Sequence, residues 1–401
     1  MKPVLVVGAG FSGLTLAYAL NRLKVPVRVV ERGERAGGLI STHNTEWGLV
    51  ETAANALLAD RQIERLFNEL DLPFAPQLKS RKRRYIFWQK PRRWPLSLWT
   101  TFRLAKFFVL NFLAIGSVAP RPRETVSGWA KRVLDGQFET RLLAPALQGV
   151  YAGDTGRLSA PATLSGFFSR HERGKLRGSV SPRQGMGELI SALETQLRQS
   201  GVEIEYGRAI ELSEKLEQPT VICTSAWAAS EIVRGHDPVL AKVLASCESS
   251  PLITVTGFFE LHAKDLQGFG CLFPKEQQFH SLGVLFNDCI FAGRSSLRSE
   301  TWILGGALNP DICSLSDEQI KSQILEDRLR LPGGGACKGW SITRWPKALP
   351  HYTVAWEECL RGLKVNRPLF LHGNYLGQLG LARIQHRSEA LAAQLKDLYV
   401  S

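Results

Sequence analysis

Metal-site signatures are missing from this chain of 401 residues. Its seven cysteines form no CxxC pair, and none of its eight histidines stands in an HExxH spacing, so the usual zinc patterns are not found. Internal repeats and low-complexity tracts are missing as well. An odd number of scattered cysteines is typical of reduced, partly buried thiols. We therefore expect neither a zinc enzyme nor a repeat protein.

Signals for export and for crossing a membrane are also lacking. The chain opens Met1-Lys2-Pro3 and enters an apolar run at Val4, without the regions of a signal peptide. In its most hydrophobic stretch, Trp94 to Val118, two cations (Arg103 and Lys106) leave an uncharged run shorter than the roughly 20 apolar residues of a spanning helix. This pattern predicts a cytoplasmic protein, in which the stretch makes peripheral contact with the inner face of the cell membrane.

Acidic residues are outnumbered, since 37 Asp and Glu face 50 Lys and Arg for a net charge of +13. This excess favours an anionic partner, and nucleic acid, acidic lipid and a polycarboxylate substrate all satisfy it. The cations concentrate between Lys79 and Arg93, among aromatic residues on which single-stranded nucleic acid can stack. The adjoining apolar stretch favours an anionic membrane surface instead, so no nucleic-acid partner is expected.

What the sequence does contain begins with a dinucleotide-binding pattern. The apolar run Val4 to Val7 precedes Gly8-Ala-Gly10-Phe11-Ser12-Gly13 and a segment of helical periodicity. Gly8 allows a tight turn, Gly10 allows the backbone to approach a pyrophosphate, and Gly13 allows the helix to pack on the strand. The helix N-terminus then directs its free amides at the phosphates.

A carboxylate follows at the position where ribose hydroxyls are bound. The second apolar run, Val25 to Val30, ends at Glu31, about 20 residues beyond the glycines. The acid disfavours NADP, whose 2′-phosphate it would repel, and leaves NAD and FAD open. The next segment, Arg32 to Thr42, carries a second glycine pair behind a basic residue.

This second pair resembles the segment with which the FAD-binding amine oxidase superfamily holds pyrophosphate and flavin. The resemblance implies FAD as the cofactor. It also implies that the cofactor is lined by Arg32, Arg35, Gly37, Gly38 and Leu39.

The remaining pattern predicts an α/β chain, α+β overall, in three parts. A Rossmann-type FAD-binding domain takes residues 1–78, 179–225 and 341–401. A helical subdomain for substrate or membrane takes residues 79–178, and a substrate domain with a mainly antiparallel sheet takes residues 226–340. Glu51 to Leu70 is predicted to be rich in helix, and the whole of 226–340 to be rich in strand, with one helix at Asp317 to Arg328.

Several separated segments share a single family resemblance. They are Pro145-Ala-Leu-Gln-Gly-Val-Tyr-Ala-Gly-Asp154 with Leu158-Ser-Ala160, Leu266 to Pro274 with the runs up to Arg294, Arg344 to Tyr352, and Gly373 to Arg383. Together they resemble the protoporphyrinogen oxidase family, the oxygen-dependent flavoenzymes of haem and chlorophyll synthesis. The resemblance covers nearly the whole chain.

The resemblance implies a reaction. Protoporphyrinogen IX would be oxidised to protoporphyrin IX by FAD and oxygen in three two-electron steps that yield hydrogen peroxide. Because the flavin carries this chemistry, neither a catalytic triad nor a metal is expected. The implied partners are the tetrapyrrole and oxygen, and the chain is expected to be a monomer or a homodimer.

The resemblance also implies residue roles. Trp345 lies beside the flavin, Gly373, Asn374, Leu379 and Gly380 form the C-terminal flavin turn, and Ile210 or Ala209 meets adenine. Arg84 matches an arginine that pairs a propionate. Gly149, Leu272 and Phe291 match positions that sandwich or edge the macrocycle, although core packing remains an alternative for Leu272 and Phe291. His351 and His372, which adjoin the flavin segments, are expected to be structural or to line the cofactor.

Two departures from the family pattern leave alternatives open. The segment at Glu51 reads Glu-Thr-Ala-Ala-Asn where the family has a Gly-Pro pair, and Ala382-Arg383 resembles the plant-type turn rather than the Asp-Cys of many bacterial members. Oxidation of coproporphyrinogen III to coproporphyrin III, another FAD enzyme of the amine oxidase type, and a flavin-fold binding protein without turnover are the alternatives. The plant-like turn and the apolar stretch favour protoporphyrinogen.

Overall fold

The computed structural model of the chain describes residues 2–93, 109, 118–134, 136–168, 174–377 and 379–400. The apolar stretch predicted to touch a membrane, Trp94 to Val118, therefore lies outside the described residues except at 109 and 118. Within the described ranges, every helix falls short of the length and hydropathy that a membrane crossing requires.

Strands and helices alternate through most of the chain. The strands are β1 (Val4–Val7), β2 (Val27–Val30), β3 (Thr42–Thr45), β4 (Gly48–Glu51), β5 (Leu57–Leu58), β6 (Tyr85–Trp88), β7 (Lys90–Arg93), β8 (Ser179–Val180), β9 (Glu203–Glu205), β10 (Thr220–Ile222), β11 (Ser249–Phe259), β12 (Gly270–Leu272), β13 (Ser281–Phe286), β14 (Arg298–Gly305), β15 (Cys337–Pro350) and β16 (Leu369–Leu371). The helices are α1 (Phe11–Arg22), α2 (Arg61–Glu69), α3 (Val126–Val133), α4 (Ala144–Tyr151), α5 (Ala160–Phe168), α6 (Met186–Gln199), α7 (Ala226–Val233), α8 (Pro238–Ala245), α9 (Asn287–Ile290), α10 (Asp317–Leu329), α11 (Val354–Gly362) and α12 (Leu381–Val400).

A parallel sheet carries the glycine motif. Its strand order is β16-β10-β1-β2-β9, and every neighbouring pair runs parallel. Successive side chains of β1 enter different cores, Val4 and Val6 packing with α1, α6 and α12, and Leu5 and Val7 packing with α7 and α8. Both faces are thus covered, which explains the uninterrupted apolar runs in these strands. Such sheets bind ligands at the carboxyl ends of their strands.

A second sheet, mostly antiparallel, has the order β15-β11-β14-β13-β12-β6-β7. One face buries Ile253, Val284 and Trp302 against α10. The other face carries side chains that are only partly buried, among them Leu272, Leu285 and Ile303. Because side chains alternate along a strand, these three belong to one surface. The predicted Rossmann-type and antiparallel architecture is confirmed.

Three local predictions were wrong. The stretch from Glu51 to Leu70 was expected to be rich in helix, but its helix begins only at Arg61. Asp60 caps this helix by accepting a hydrogen bond from the Ile63 amide. The part before it contains the end of β4 and the short strand β5. The strand-rich region expected from 226 opens with two helices, α7 and α8. In the subdomain expected to be helical from residue 79, a short 3-10 helix over Lys79–Lys82 is followed by the β6–β7 hairpin, whose β6 pairs with β12.

The domain boundaries remain predictions. The parallel sheet does take its strands from all three sections assigned to the FAD-binding domain, namely β1 and β2, then β9 and β10, then β16. At the boundary placed after residue 340, however, β15 runs continuously from Cys337 to Pro350.

Candidate functional site

The glycine motif forms a tight turn between β1 and α1. Gly8 has φ +106°, a conformation that favours glycine. A Cβ atom on Gly13 would stand 1.8 Å from the carbonyl oxygen of Gly8. The turn therefore needs glycine at both positions for reasons of backbone conformation and packing alone.

Gly10 is different, because the space around it is open. A Cβ atom on Gly10 would meet nothing within 4 Å, and the first turn of α1, which Gly10 caps, receives no hydrogen bond from a capping side chain. The uncapped amides and the open approach fit a pyrophosphate group, since a helix N-terminus attracts anions.

Glu31 lies beside this turn. One of its carboxylate oxygens accepts a hydrogen bond from the Ala9 amide at 2.8 Å, and the other accepts one from the Gly33 amide, also at 2.8 Å. A carboxylate has about four acceptor positions, so capacity remains for ribose hydroxyls. The arrangement fits the dinucleotide half of FAD.

The second glycine pair is joined to the first. The Gly37 amide donates to the Ala9 carbonyl at 2.9 Å, and both Gly37 and Gly38 have positive φ. Arg35 donates to the carbonyls of Ala36 at 2.9 Å and Gly38 at 3.0 Å. Its guanidinium thus holds the shape of the glycine loop, a role that the sequence did not reveal.

Thr224, which the sequence reasoning missed, connects the N-terminal and C-terminal glycine turns. Its Cγ2 atom would stand 3.0 Å from a Cβ atom on Gly8, and its carbonyl oxygen 3.0 Å from one on Gly373. The carboxyl ends of β1, β10 and β16 therefore meet at Thr224. The signal was only that Thr224 follows a short apolar strand.

Most of the predicted C-terminal turn adjoins this edge. The Asn374 carbonyl accepts a hydrogen bond from the Tyr352 hydroxyl, and Trp356 Nε1 donates to the next carbonyl at 2.8 Å. Leu379 and Gly380 lead into α12, while residue 378 between the halves of the turn lies outside the described residues. Ile210 lies in the loop after β9 and packs on the core beneath α7.

Thr52 connects the glycine loop to the antiparallel sheet. Its hydroxyl donates to the Leu39 carbonyl at 2.7 Å, and its own carbonyl accepts from Trp345 Nε1 at 2.9 Å and from the Thr254 hydroxyl at 3.0 Å. Thr52 occupies the segment in which the family has a Gly-Pro pair. The threonine side chain thus supplies the hydrogen bond to Leu39, whereas Trp345 is held by the backbone carbonyl of the same residue.

Its neighbour Glu51 forms a buried ion pair. Glu51 is 6% exposed and Arg294 is 4% exposed, with 3.1 Å between carboxylate and guanidinium. Burial raises the pKa of Glu51, despite hydrogen bonds from Thr42 and Met186 and the charge of Arg294, and burial lowers the pKa of Arg294. The Arg294 guanidinium also lies 5.2 Å from the centre of the Phe291 ring. The buried ion pair therefore supports the Phe291 ring through its contact with Arg294.

An apolar surface lies beside Trp345. A Cβ atom on Gly149 would stand 2.9 Å from Leu272 Cδ2, so α4 crosses the partly buried face of the antiparallel sheet at this glycine. Leu285 and Ile303 extend the same face. Gly149 and Leu272, predicted to line one pocket, are thus in contact.

Arg84 lies at the edge of this surface. Its guanidinium is 4.7 Å from the centre of the Phe269 ring, and Phe269 packs with Phe291 and Leu285. Partial burial lowers the pKa of Arg84, and the charge of Arg81 adds to the effect. Among the described residues Arg84 has no carboxylate partner, so its guanidinium is available to an anion from outside the chain.

The two histidines singled out are both buried. His351 Nε2 accepts the Asp154 amide at 3.3 Å, and burial lowers the pKa of His351. His372 Nε2 is 2.8 Å from the Ser388 hydroxyl, which is 2.8 Å from the Thr15 hydroxyl of α1. Burial lowers the pKa of His372 to about 3, so its ring is neutral, and the Ser388 hydroxyl of α12 joins this ring to α1. In the described part of the chain, no cluster of three His, Cys, Asp or Glu side chains could hold a metal ion.

Comparison with known proteins extends these observations. Residues 6–70 match the family model of an NAD(P)-binding Rossmann-like domain. A chloroplastic protoporphyrinogen oxidase of Nicotiana tabacum is 24% identical, the alignment covering 97% of this chain and 84% of that protein. A coproporphyrinogen III oxidase of Bacillus subtilis is 21% identical, with 90% of each chain covered. A solved structure of a putrescine oxidase variant superposes with a TM-score of 0.78 at 14% identity over 99% of each chain.

The coverage is as informative as the identities. A match confined to the glycine motif would indicate only a dinucleotide fold, whereas these alignments extend through both sheets. The predicted resemblance and the predicted cofactor, FAD, are confirmed: over nearly its whole length the chain is related to the protoporphyrinogen and coproporphyrinogen III oxidases, and it shares the fold of the FAD-dependent amine oxidase superfamily.

Proposed function

We propose that the chain oxidises protoporphyrinogen IX to protoporphyrin IX with FAD as cofactor and oxygen as acceptor. Three two-electron steps would remove six electrons and produce three molecules of hydrogen peroxide. The observation that carries the proposal is the apolar face of Leu272, Leu285 and Ile303, crossed at Gly149 and edged by the unpaired Arg84. A large apolar macrocycle with acidic side chains matches such a surface in apolar area and in charge.

We infer that the glycine turns, with Glu31 and Thr224, hold the cofactor, and that Trp345 and Leu39, both fixed by Thr52, lie beside it. Held there, FAD would supply the electron-accepting chemistry of the reaction, with oxygen as the final acceptor. The protein's own contribution is positioning: the leucine and isoleucine side chains exclude water from one side of the macrocycle, and the contact of Gly149 with Leu272 fixes α4 beside them.

Arg84 supplies the polar end of substrate recognition. A guanidinium can pair a carboxylate through two parallel hydrogen bonds. Contact with Phe269 removes part of its hydration, so less water must be displaced when a propionate arrives. Because Phe269 packs with Phe291, the cation is held at a fixed distance from the apolar surface.

Turnover of both porphyrinogens tests the proposal. The purified chain should be yellow, and the fluorescence of a porphyrin should appear when protoporphyrinogen IX is added in air, together with hydrogen peroxide. A strong preference for coproporphyrinogen III, which has four propionates rather than two, would reject the choice of substrate. A yellow protein that oxidises neither compound would instead support a binding protein without turnover.

Arg84→Ala should raise the KM for protoporphyrinogen IX by about tenfold or more, because a charge-assisted bidentate pair contributes roughly 1.5 to 3 kcal/mol. The flavin content should be unchanged, because the cofactor motifs lie on the other sheet. Arg83→Ala is the matched control, since it removes a neighbouring exposed cation of the same segment. If the Arg84 variant lost flavin to the same extent as it lost affinity for the substrate, the assignment of Arg84 to the substrate would be contradicted.

We also propose that the basic segment from Lys79 to Arg93 meets an anionic membrane surface. Five of its cations besides Arg84, namely Lys82, Arg83, Lys90, Arg92 and Arg93, are exposed on or next to the β6–β7 hairpin. Cations near an anionic surface contribute about 1 kcal/mol each. A protein bound there would deliver a poorly soluble product directly to the lipid.

A further inference from the structure

Trp227 is held between two cations from distant parts of the chain. The guanidinium carbon of Arg32 lies 5.7 Å from the centre of the indole, and Lys347 Nζ lies 4.9 Å from it. Both cations are exposed, and the indole is half-buried. We call Arg32, Trp227 and Lys347 the clasp.

Lys347 reaches the clasp through an irregularity in β15. Leu252 pairs with Trp345 and Ser250 pairs with Leu349, so the three residues from 346 to 348 face the single residue between them on β11. Such a bulge turns a side chain away from the regular sheet direction. On one side of the bulge Trp345 is fixed by its hydrogen bond to Thr52, and within it Ala348 is buried. The side chain of Lys347 is thus oriented by neighbouring residues that are themselves fixed.

Trp227 is the second residue of α7, the helix that follows β10. The preceding Thr224 touches both Gly8 and Gly373, so the clasp stands at the carboxyl edge of the parallel sheet. Its third member, Arg32, directly follows Glu31, the residue that fits ribose. Ligands of open α/β sheets bind at this edge.

The charges of the clasp are unbalanced. Among the described residues, neither Arg32 nor Lys347 forms a hydrogen bond or an ion pair with a carboxylate. Two like charges around one ring repel each other, and the face of an indole offsets only part of this cost. An anion bound between them would remove it. The dinucleotide site that adjoins the clasp takes a ligand with two phosphates.

We propose that Trp227 and Lys347, together with Arg32, bind the ADP half of FAD. Lys347 neutralises phosphate charge from the antiparallel sheet, and Arg32 does so from the segment that follows β2 of the parallel sheet. The indole closes the groove over the bound nucleotide. Since Lys347 belongs to one sheet and Arg32 to the other, binding of FAD also joins the two sheets.

The proposal depends on the FAD site described above and not on the identity of the substrate, and titration of the full chain, freed of flavin, with FAD tests it. The dissociation constant should rise about tenfold for Lys347→Met and for Trp227→Leu, because a charge-assisted contact and a stacking contact each account for about one factor of ten. Lys347→Arg and Trp227→Phe should restore most of the affinity. The salt dependence of binding should become shallower in Lys347→Met, since one cation fewer meets the phosphates.

Binding of two further ligands shows which part of the cofactor the clasp contacts. ADP should lose affinity in both variants by the same factor as FAD, whereas riboflavin, which lacks phosphates and adenosine, should bind as it does to the parent. Lys338→Met is the matched control, because Lys338 lies on the same strand and is paired with Glu260 at 2.6 Å. It should leave every affinity unchanged.

If Lys347→Met and Trp227→Leu bind FAD and ADP as tightly as the parent does, the proposal is overturned. If these variants keep the parental affinities but melt at a lower temperature, the clasp has a purely structural role. No porphyrinogen enters these measurements. If the parent oxidises neither porphyrinogen but both variants bind FAD more weakly than the parent, the proposed function is refuted and the proposed role of the clasp is supported.

Discussion

Gly13→Ala should lower the free energy of unfolding by about 3 kcal/mol or more, since overpacking is costly when no rotamer relieves it. The added Cβ atom would stand 1.8 Å from the Gly8 carbonyl oxygen, which is backbone and can move only if β1 separates from α1. Urea unfolding in the absence of flavin is the measurement, because the clash exists without any ligand. A variant with parental stability would show that the turn between β1 and α1 has the slack to accept a side chain.

Gly10→Ala is the matched comparison. Its Cβ atom meets nothing within 4 Å and its φ of −70° suits alanine, so the free energy of unfolding should change little. The affinity for FAD should nevertheless fall by about tenfold, because the methyl group stands where the pyrophosphate approaches the backbone. These two glycines, three residues apart, would thus have different roles: Gly13 is needed for the fold and Gly10 for binding the ligand.

Arg294→Met should destabilise the chain by about 3 to 5 kcal/mol, because it leaves the Glu51 carboxylate buried without its counter-charge. Burial already raises the pKa of Glu51, and removal of the arginine raises it further. A carboxyl group with a raised pKa contributes stability at low pH that is lost as the pH rises through that pKa. The deficit should therefore be larger at pH 8 than at pH 5, as measured by urea unfolding at both values.

The double variant Glu51→Gln with Arg294→Met controls for the lost charge. It should recover part of the stability, since the amide can still accept the hydrogen bond that the Met186 amide donates at 2.9 Å. A single variant within about 1 kcal/mol of the parent would mean that the pair contributes no more than a surface ion pair does. Flavin content is a second readout, because Glu51 adjoins Thr52.

Sequence reasoning succeeded where local pattern and fold coincide. β1, α1 and β2 follow from an apolar run, three glycines and a helical period, each of which favours the same structure as its neighbours. The β15 strand was missed because Pro346 interrupts it, and a proline is acceptable there because β15 is an edge strand with a bulge at that position. The helices α7 and α8 were missed because their short apolar turns are rich in alanine and valine and also read as strand.

For the candidate site, the family resemblance supplied residues that no pattern would have revealed. Nothing in the sequence around Gly149 and Leu272 indicates that they touch, since 123 positions of chain separate them and contact depends on how α4 crosses the second sheet. Thr224, Thr52 and Trp227 were missed for the same reason. Their roles lie in what packs beside them, and a single sequence holds no record of that.

The central position of β1 has a consequence for how the protein is made. Its partner β10 and the strand beyond that partner, β16, are synthesised more than 200 and 360 residues later. A growing polypeptide on the ribosome therefore presents the glycine turn long before Thr224 and Gly373 close it. We therefore expect flavin to be bound late in biosynthesis, and a chain that ends before β16 to be colourless.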